Sequence, residues 1–253
     1  MNELKNKVAI ITGATGGIGR AAASRFAEEG ARLVLADLDA DLGEALVKDI
    51  RELGGDAIFV RTDVAKPHDH EHLVEAALKN YGRLDAAFNN AGISDGPMPP
   101  GLVEYPLELW DRIIAINLSG VFYAMRAQIP AMLKNGGGSI VNTGSVASQI
   151  AFAGVPGYVA AKHGVLGLTK AAALEYGARG LRCNVIAPGI IETPMTAPVL
   201  SNAQFREHTA STIPAGRVGR AEEIADMALW LCSDRGSYAN GACFAVDGGY
   251  LAR

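Results

Sequence analysis

Tyr158 and Lys162 stand four residues apart within a helical pattern, which puts a phenol and an ammonium group on one helix face. A positioned phenol can give or take a proton, the service needed where a hydroxyl is oxidised or a carbonyl reduced. Ser145 precedes Tyr158 by 13 residues and directly follows the apolar run Ser139 to Thr143. Its loop, Gly144 to Ser148, lets three polar groups converge. Tyr and Lys meet at this spacing by chance in many helices, so the pair gains meaning from its surroundings.

The surroundings include a second motif. The first apolar run, Val8 to Thr12, empties into Thr12-Gly13-Ala14-Thr15-Gly16-Gly17-Ile18-Gly19, and a helical pattern starts at once. Glycines let a backbone approach a pyrophosphate, and a helix N-terminus offers free N–H donors and the positive end of its dipole. Gly13, Thr15, Gly17, Ile18 and Gly19 are the expected contacts. Asp37 follows 18 residues after Gly19, at the end of the second apolar run. A carboxylate there accepts hydrogen bonds from both ribose hydroxyls and repels a 2′-phosphate. No Lys or Arg lies in the glycine loop or closely follows Asp37, so the expected cofactor is NAD rather than NADP. Asp39 and Asp41 are available to cap the next helix, which leaves Asp37 to the ribose. Asp63 and Val64, after the third run, are assigned to the adenine side. Asn90, Ala91 and Gly92, after the fourth, are assigned a role both structural and cofactor-facing.

These residues need a frame. Seven short apolar runs are expected as strands: Val8–Thr12, Arg32–Asp37, Ala57–Arg61, Leu84–Asn89, Ser139–Thr143, Arg182–Ile186 and Ala242–Val246. Helical patterns separate them, which predicts an α/β fold, a Rossmann-like doubly wound parallel sheet with helices on both faces. One domain over 1–253 suits 253 residues with 49% hydrophobic content. The irregular stretches 92–104 and 188–212 follow strands and are the expected substrate loops. Thirty glycines exceed the roughly 18 that average usage of about 7% would give, in keeping with tight turns and close ligand approaches.

Composition excludes other classes. A net charge of -4 carries no basic excess, so nucleic acid is not an expected partner. Cys183, Cys232 and Cys243 are few and widely spaced, which predicts no metal site and no disulfide framework. With neither a secretory leader nor a span of about 20 apolar residues, the expectation is a cytoplasmic protein that does not enter a membrane. The patterns Leu107–Leu133 and Tyr158–Tyr176 carry few charges on any face, and Gly164 and Gly167 suggest close approach of another backbone. The expected consequence is a homo-oligomer, a tetramer or dimer.

The whole chain from Val8 to Gly249 resembles the classical short-chain dehydrogenase/reductase family. The pattern T-G-x-x-x-G-x-G is met by Thr12, Gly13, Gly17 and Gly19, N-N-A-G by Asn89 to Gly92, and Ser with Tyr-x-x-x-Lys by Ser145, Tyr158 and Lys162. Gly16 also fits the T-G-x-x-G-x-x-G of the extended branch, but the few residues after Gly249 leave no room for that branch's substrate domain. The resemblance implies reversible hydride transfer at a carbinol carbon. It adds Asn117 as a fourth catalytic residue, whose region would hold a proton-relaying water, and Pro188, Gly189, Ile191 and Thr193 as nicotinamide-side contacts. Tyr158 would act as phenolate, which requires its pKa to fall from ~10 to near 7, roughly 4 kcal/mol. Lys162 could supply that fall, since a cation 4 Å away is worth about 4 kcal/mol at an effective dielectric of 20 before desolvation of the phenolate opposes it, and the positive nicotinamide ring of the oxidised cofactor is expected to help. It would also bind the nicotinamide ribose. His163, about 100° of helix from Lys162, is read as structural.

For the substrate, Ser94, Gln149, Phe152 and Met195 are the candidate contacts, with Met98, Ile150, Val155 and Leu200 beside them. They are mainly apolar, and only Arg206 and His208 of the 194–210 segment offer an anion a partner. The expected substrate is a modest, largely apolar or cyclic secondary alcohol or its ketone. Two alternatives share these features: a 3-oxoacyl thioester reductase and a non-catalytic NAD(H)-sensing protein.

Overall fold

The computed structural model describes residues 2–96 and 101–252. Seven strands form one parallel sheet: β1 (Val8–Thr12), β2 (Arg32–Asp37), β3 (Asp56–Arg61), β4 (Ala86–Asn89), β5 (Gly138–Thr143), β6 (Leu181–Pro188) and, last in the chain, β9 (Cys243–Val246). Their order across the sheet is β3-β2-β1-β4-β5-β6-β9. Strand order reverses beside β1, which opens a crevice at the carboxyl ends of β1 and β4. A separate two-stranded ribbon, β7 (Ile191–Glu192) with β8 (Gly219–Arg220), follows the main sheet.

Continuous apolar runs are strands here because both faces are covered. Along β1, Ala9 and Ile11 pack toward Ala22 and Phe26 of helix α1 (Gly17–Glu28), Leu46 of α2 (Ala40–Glu52) and Ile224 of α9 (Ala221–Cys232). Val8 and Ile10 face the opposite layer, with Leu73 of α3 (Pro67–Tyr81), Met125 of α5 (Gly120–Lys134) and Val165 of α6 (Pro156–Tyr176). Two short helices, α7 (Ala197–Leu200) and α8 (Ala203–Ser211), lie between the ribbon strands.

One sequence expectation changes. The continuous helix expected over Leu107–Leu133 is interrupted: α4 (Leu107–Ile114) passes through a π turn at Ala115–Ser119 into α5. The turn carries Asn117, whose side chain is committed to the backbone of Ile93 rather than to its own helix. Helix α6 leaves part of its surface open within the single chain. A Cβ at Gly164 would meet the Leu118 side chain of the same chain, and one at Gly167 would meet nothing within 4 Å. Leu174 on this helix is 86% exposed. No helix among the described residues is long and apolar enough to cross a membrane.

Candidate active site

The glycine loop works through three separate constraints. Gly13 has φ +64, and a Cβ there would lie 2.8 Å from the Ala91 Cα. A Cβ on Gly19 would collide with the Gly13 carbonyl, and one on Gly17 would come within 2.9 Å of Thr193 Cγ2. The loop thus fits between β4's end and the segment after β7 only without side chains. Gly16 precedes α1 with no side-chain cap, and the first turn holds no acidic residue, so its N–H donors point into the crevice unclaimed by side chains. These features fit a pyrophosphate.

Asp37, the last residue of β2, faces this loop. Its Oδ2 accepts from the Thr15 N–H at 3.0 Å and the Thr15 hydroxyl at 2.7 Å, and its Oδ1 from the Leu38 N–H at 2.7 Å. The cap of α2 is Asp39, which accepts from Leu42 N–H at 3.0 Å, so Asp37 is free of that duty. Asp63 accepts from the Ala65 N–H at 3.1 Å and lies 3.6 Å from Lys66.

Asparagine amides tie the strand ends. Asn89 donates to Gln128 at 3.1 Å and Asn142 at 2.9 Å, and Asn142 donates to Thr169 at 2.9 Å, a buried chain across β4, β5 and α6. Asn90 takes its N–H to the Thr12 hydroxyl at 3.0 Å and its amide to the Thr12 and Gly13 carbonyls. This fixes the floor beneath the glycine loop. Asn117, fully buried, brackets Ile93 with two bonds of 2.9 Å, donating to its carbonyl and accepting from its N–H. A π turn widens the helix by one residue and leaves a carbonyl without its usual amide, a common device at functional sites.

Ser145, Tyr158 and Lys162 come together at the end of β5 on one cavity of about 400 Å³. Ser145 Oγ accepts from Ala147 N–H at 3.1 Å, and its hydroxyl is hydrogen-bonded to the Tyr158 phenol. Lys162, 3% exposed, donates to the Thr143 carbonyl at 2.7 Å, with Nζ 5.4 Å from the centre of the Tyr158 ring. Burial lowers the lysine pKa to about 8. For Tyr158 the protein's own groups act upward, whereas the expected fall drew on Lys162 and the cofactor's charge together. Burial pushes the phenol above its ordinary value, Ser145 opposes this through a hydrogen bond, and the charge of Asp95 adds to the rise. The ammonium group is held on Thr143 rather than on the phenol oxygen, so these side chains do not by themselves acidify the phenol.

The same cavity is lined by Asn117 and by every expected cofactor contact except Gly19: Gly13, Thr15, Gly17, Ile18, Asp37, Asp63, Val64, Asn90, Ala91, Gly92, Pro188, Gly189, Ile191 and Thr193. Gly19 sits behind the loop, fully packed against Gly13. Of the substrate candidates, Met195 lines the cavity. Ser94, Gln149 and Phe152 do not. Ser94 is exposed, Gln149 donates to Cys243 Sγ at 3.5 Å, and Phe152 packs on Tyr250 with ring centres 6.2 Å apart. Met98 lies outside the described residues. Arg206 is paired with Glu192, which leaves exposed His208 as the unengaged candidate for an anion. Sequence reasoning missed Thr143, whose carbonyl anchors Lys162, because a backbone acceptor leaves no residue-type signal. It also missed Asp95, which accepts from the Tyr158 N–H, although an acidic residue three positions beyond Gly92 was open to notice.

Known proteins resemble this arrangement over its full length. The family model described as enoyl-(acyl carrier protein) reductase matches residues 13–251. Cyclohexanol dehydrogenase of Acinetobacter sp. strain SE19 is 43% identical over 100% of this chain and 98% of its own. The 2,5-dichloro-2,5-cyclohexadiene-1,4-diol dehydrogenase LinX of Sphingobium indicum is 41% identical, covering 98% of each. Among solved structures, levodione reductase superposes with a TM-score of 0.92 at 37% identity, over 98% of this chain and 99% of the other. A protein from Beutenbergia cavernae designated a “putative NAD(P) dependent gluconate 5-dehydrogenase”, 34% identical with a TM-score of 0.93 over 100% and 99% of the two chains, holds NADP at low occupancy. With its glycine loop, its Ser145, Tyr158 and Lys162 and this extent of similarity, the chain belongs to the short-chain dehydrogenase/reductase family of oxidoreductases.

Proposed function

We propose that the protein is an NAD-dependent dehydrogenase of a secondary alcohol, working reversibly on a modest, apolar or cyclic carbon frame. One observation carries the reading: Ser145, Tyr158 and Lys162 share a cavity with the Asp37 carboxylate. Among the described lining residues Lys162, held on Thr143, is the sole Lys or Arg, so a 2′-phosphate near Asp37 would meet a carboxylate without a compensating cation. That supports NAD over NADP.

Bound oxidised nicotinamide supplies a hydride-accepting carbon and a positive charge in the cavity. Tyr158 takes the proton of the alcohol as the carbinol C–H is given up, and the Ser145 hydroxyl, bonded to the phenol in this structure, turns to the same oxygen and fixes the carbon's distance and angle. Each bond strengthens as that oxygen gathers charge. Lys162, immobilised by Thr143, holds positive charge beside the phenol and offers its remaining protons to the ribose. Asn117 acts by holding Ile93 beside Gly92, and its region would hold a water that relays protons to Lys162.

The substrate class is supported by Met195 and Ile93 in the lining and by the names of the two relatives above, both dehydrogenases of six-carbon ring alcohols. An acyl-carrier thioester is disfavoured because Arg206 is already engaged by Glu192. A homo-oligomer, dimer or tetramer, is supported by the apolar cleft between α5 and α6, where Phe122 is 47% exposed beside Ile129 and Leu168. A cytoplasmic location agrees with three free cysteines, two of them buried.

The test is turnover of cyclohexanol, cyclic diols and aryl carbinols with NAD and with NADP. Oxidation of at least one ring alcohol with NAD preferred is expected. Efficient use of NADP alone, or turnover of 3-oxoacyl thioesters alone, would refute the reading, and NADH binding without turnover of any carbonyl would assign the chain to nucleotide sensing.

A further inference from the structure

Helix α6 begins without a cap of its own. Val155 has no side-chain acceptor, yet the first N–H groups of any helix need partners. The partner comes from the loop after β4. Both carboxylate oxygens of Asp95 lie within reach of the Tyr158 N–H, at 3.2 and 3.3 Å, and one of them accepts the Tyr105 hydroxyl at 2.9 Å. Asp95 and Tyr105 are only 7% and 8% exposed. The arrangement needs Gly157, where a Cβ would lie 2.8 Å from the Tyr105 hydroxyl and 3.3 Å from Ile113 of α4.

A buried carboxylate without a cation is costly, and the groups that act on Asp95 are the Tyr105 hydroxyl and the Tyr158 amide. A neutral cap such as serine would satisfy the same N–H more cheaply. The use of a charged residue, reaching in from the loop that also carries Gly92 and Ile93, ties the cofactor floor to the first turn of the helix that bears the phenol.

We propose that Asp95 is a positioning residue for Tyr158, holding the first turn of α6 so that the phenol stands in register with Ser145. The inference rests on the assignment of Tyr158 as the acid/base group. The titratable groups facing the phenol's surroundings are Asp95 from the β4 loop, Tyr105 from the segment before α4, Ser145 from the β5 loop and Lys162 from α6 itself, while α4 contributes Ile113. Of these, the negative charge of Asp95 disfavours the phenolate. Asp95 therefore has two separable effects, one of geometry and one of charge.

The experiment compares pH profiles of kcat and kcat/KM for oxidation with NAD, using the ring alcohol turned over fastest by the unaltered enzyme, across Asp95→Ala, Asp95→Asn and Tyr158→Phe. Asp95→Ala loses the cap, and kcat is expected to fall about tenfold or more with KM for NAD within about twofold, the scale of a sub-ångström displacement at a reacting group. Asp95→Asn keeps an acceptor for the Tyr158 N–H, so kcat is expected to recover while the acidic limb of kcat/KM moves to lower pH. Unchanged kcat and an unmoved limb in both variants would overturn the proposal. If Asp95→Ala fails to fold by circular dichroism, the limb in Asp95→Asn decides alone. Turnover by Tyr158→Phe would instead overturn the acid/base assignment, whereas an inactive Tyr158→Phe beside normal Asp95 variants would defeat only the role of Asp95.

Discussion

Replacing Lys162 by Met removes an ammonium group that is 3% exposed and whose pKa is lowered from 10.5 to about 8 by burial. A shift of that size corresponds to about 3 kcal/mol of free energy stored against folding when the lysine is charged. The folded state binds fewer protons than the unfolded chain between pH 8 and 10.5, so this contribution to stability is fully present above pH 10.5 and is lost as pH falls through about 8. Lys162→Met abolishes the dependence. The lost bond to the Thr143 carbonyl costs roughly 1 to 3 kcal/mol, but that cost is the same at every pH and leaves the slope untouched. The assay is urea unfolding of both proteins without cofactor at intervals from pH 7 to 9.5, below the range in which tyrosines titrate. The stability of the unaltered protein minus that of the variant is expected to rise by about 1 kcal/mol per pH unit above pH 8. Parallel curves would show that Lys162 keeps its ordinary pKa in the folded enzyme, and the account of a desolvated lysine beside the phenol would fail.

Tyr158→Phe is expected to remove turnover by at least about a hundredfold while NADH affinity, followed by fluorescence titration, stays within about threefold. Asp37→Ala should narrow the preference for NAD over NADP by about tenfold or more in kcat/KM, since the carboxylate that repels a 2′-phosphate is gone; an unchanged ratio would mean that another group reads the ribose. Phe122→Glu, which puts charge on the exposed cleft between α5 and α6, should shift the protein toward monomer in sedimentation at micromolar concentration. A monomer before substitution would contradict the oligomer.

The strands were legible because burial on both faces demands near-continuous apolar runs, and β1 and β2 match the expected boundaries to the residue. The glycine loop was legible for a related reason: Gly13, Gly17 and Gly19 are each required by a collision that any side chain would cause, so backbone contact leaves its trace in residue type. Where a long-range partner decides the outcome, the trace disappears. Nothing in the local pattern of Leu107–Leu133 announces that Asn117 turns away to bracket Ile93, so the π turn was unreadable. Phe152 and Gln149 have the right types and the right distance from Ser145, yet Tyr250 and Cys243 from the far end of the chain engage them first.

The electrostatics of the site teach the same lesson more sharply. Four-residue spacing gave the shared face of Tyr158 and Lys162, but the sign of the phenol's pKa shift depends on where the ammonium protons go. One goes to the Thr143 carbonyl, supplied by β5 and invisible to side-chain reasoning. With the lysine so committed, burial dominates the phenol and raises its pKa. The protein alone therefore keeps Tyr158 as a proton donor, the state that carbonyl reduction requires. In the proposed reaction, alcohol oxidation needs the opposite state, and the positive charge of an oxidised cofactor beside the phenol would favour it.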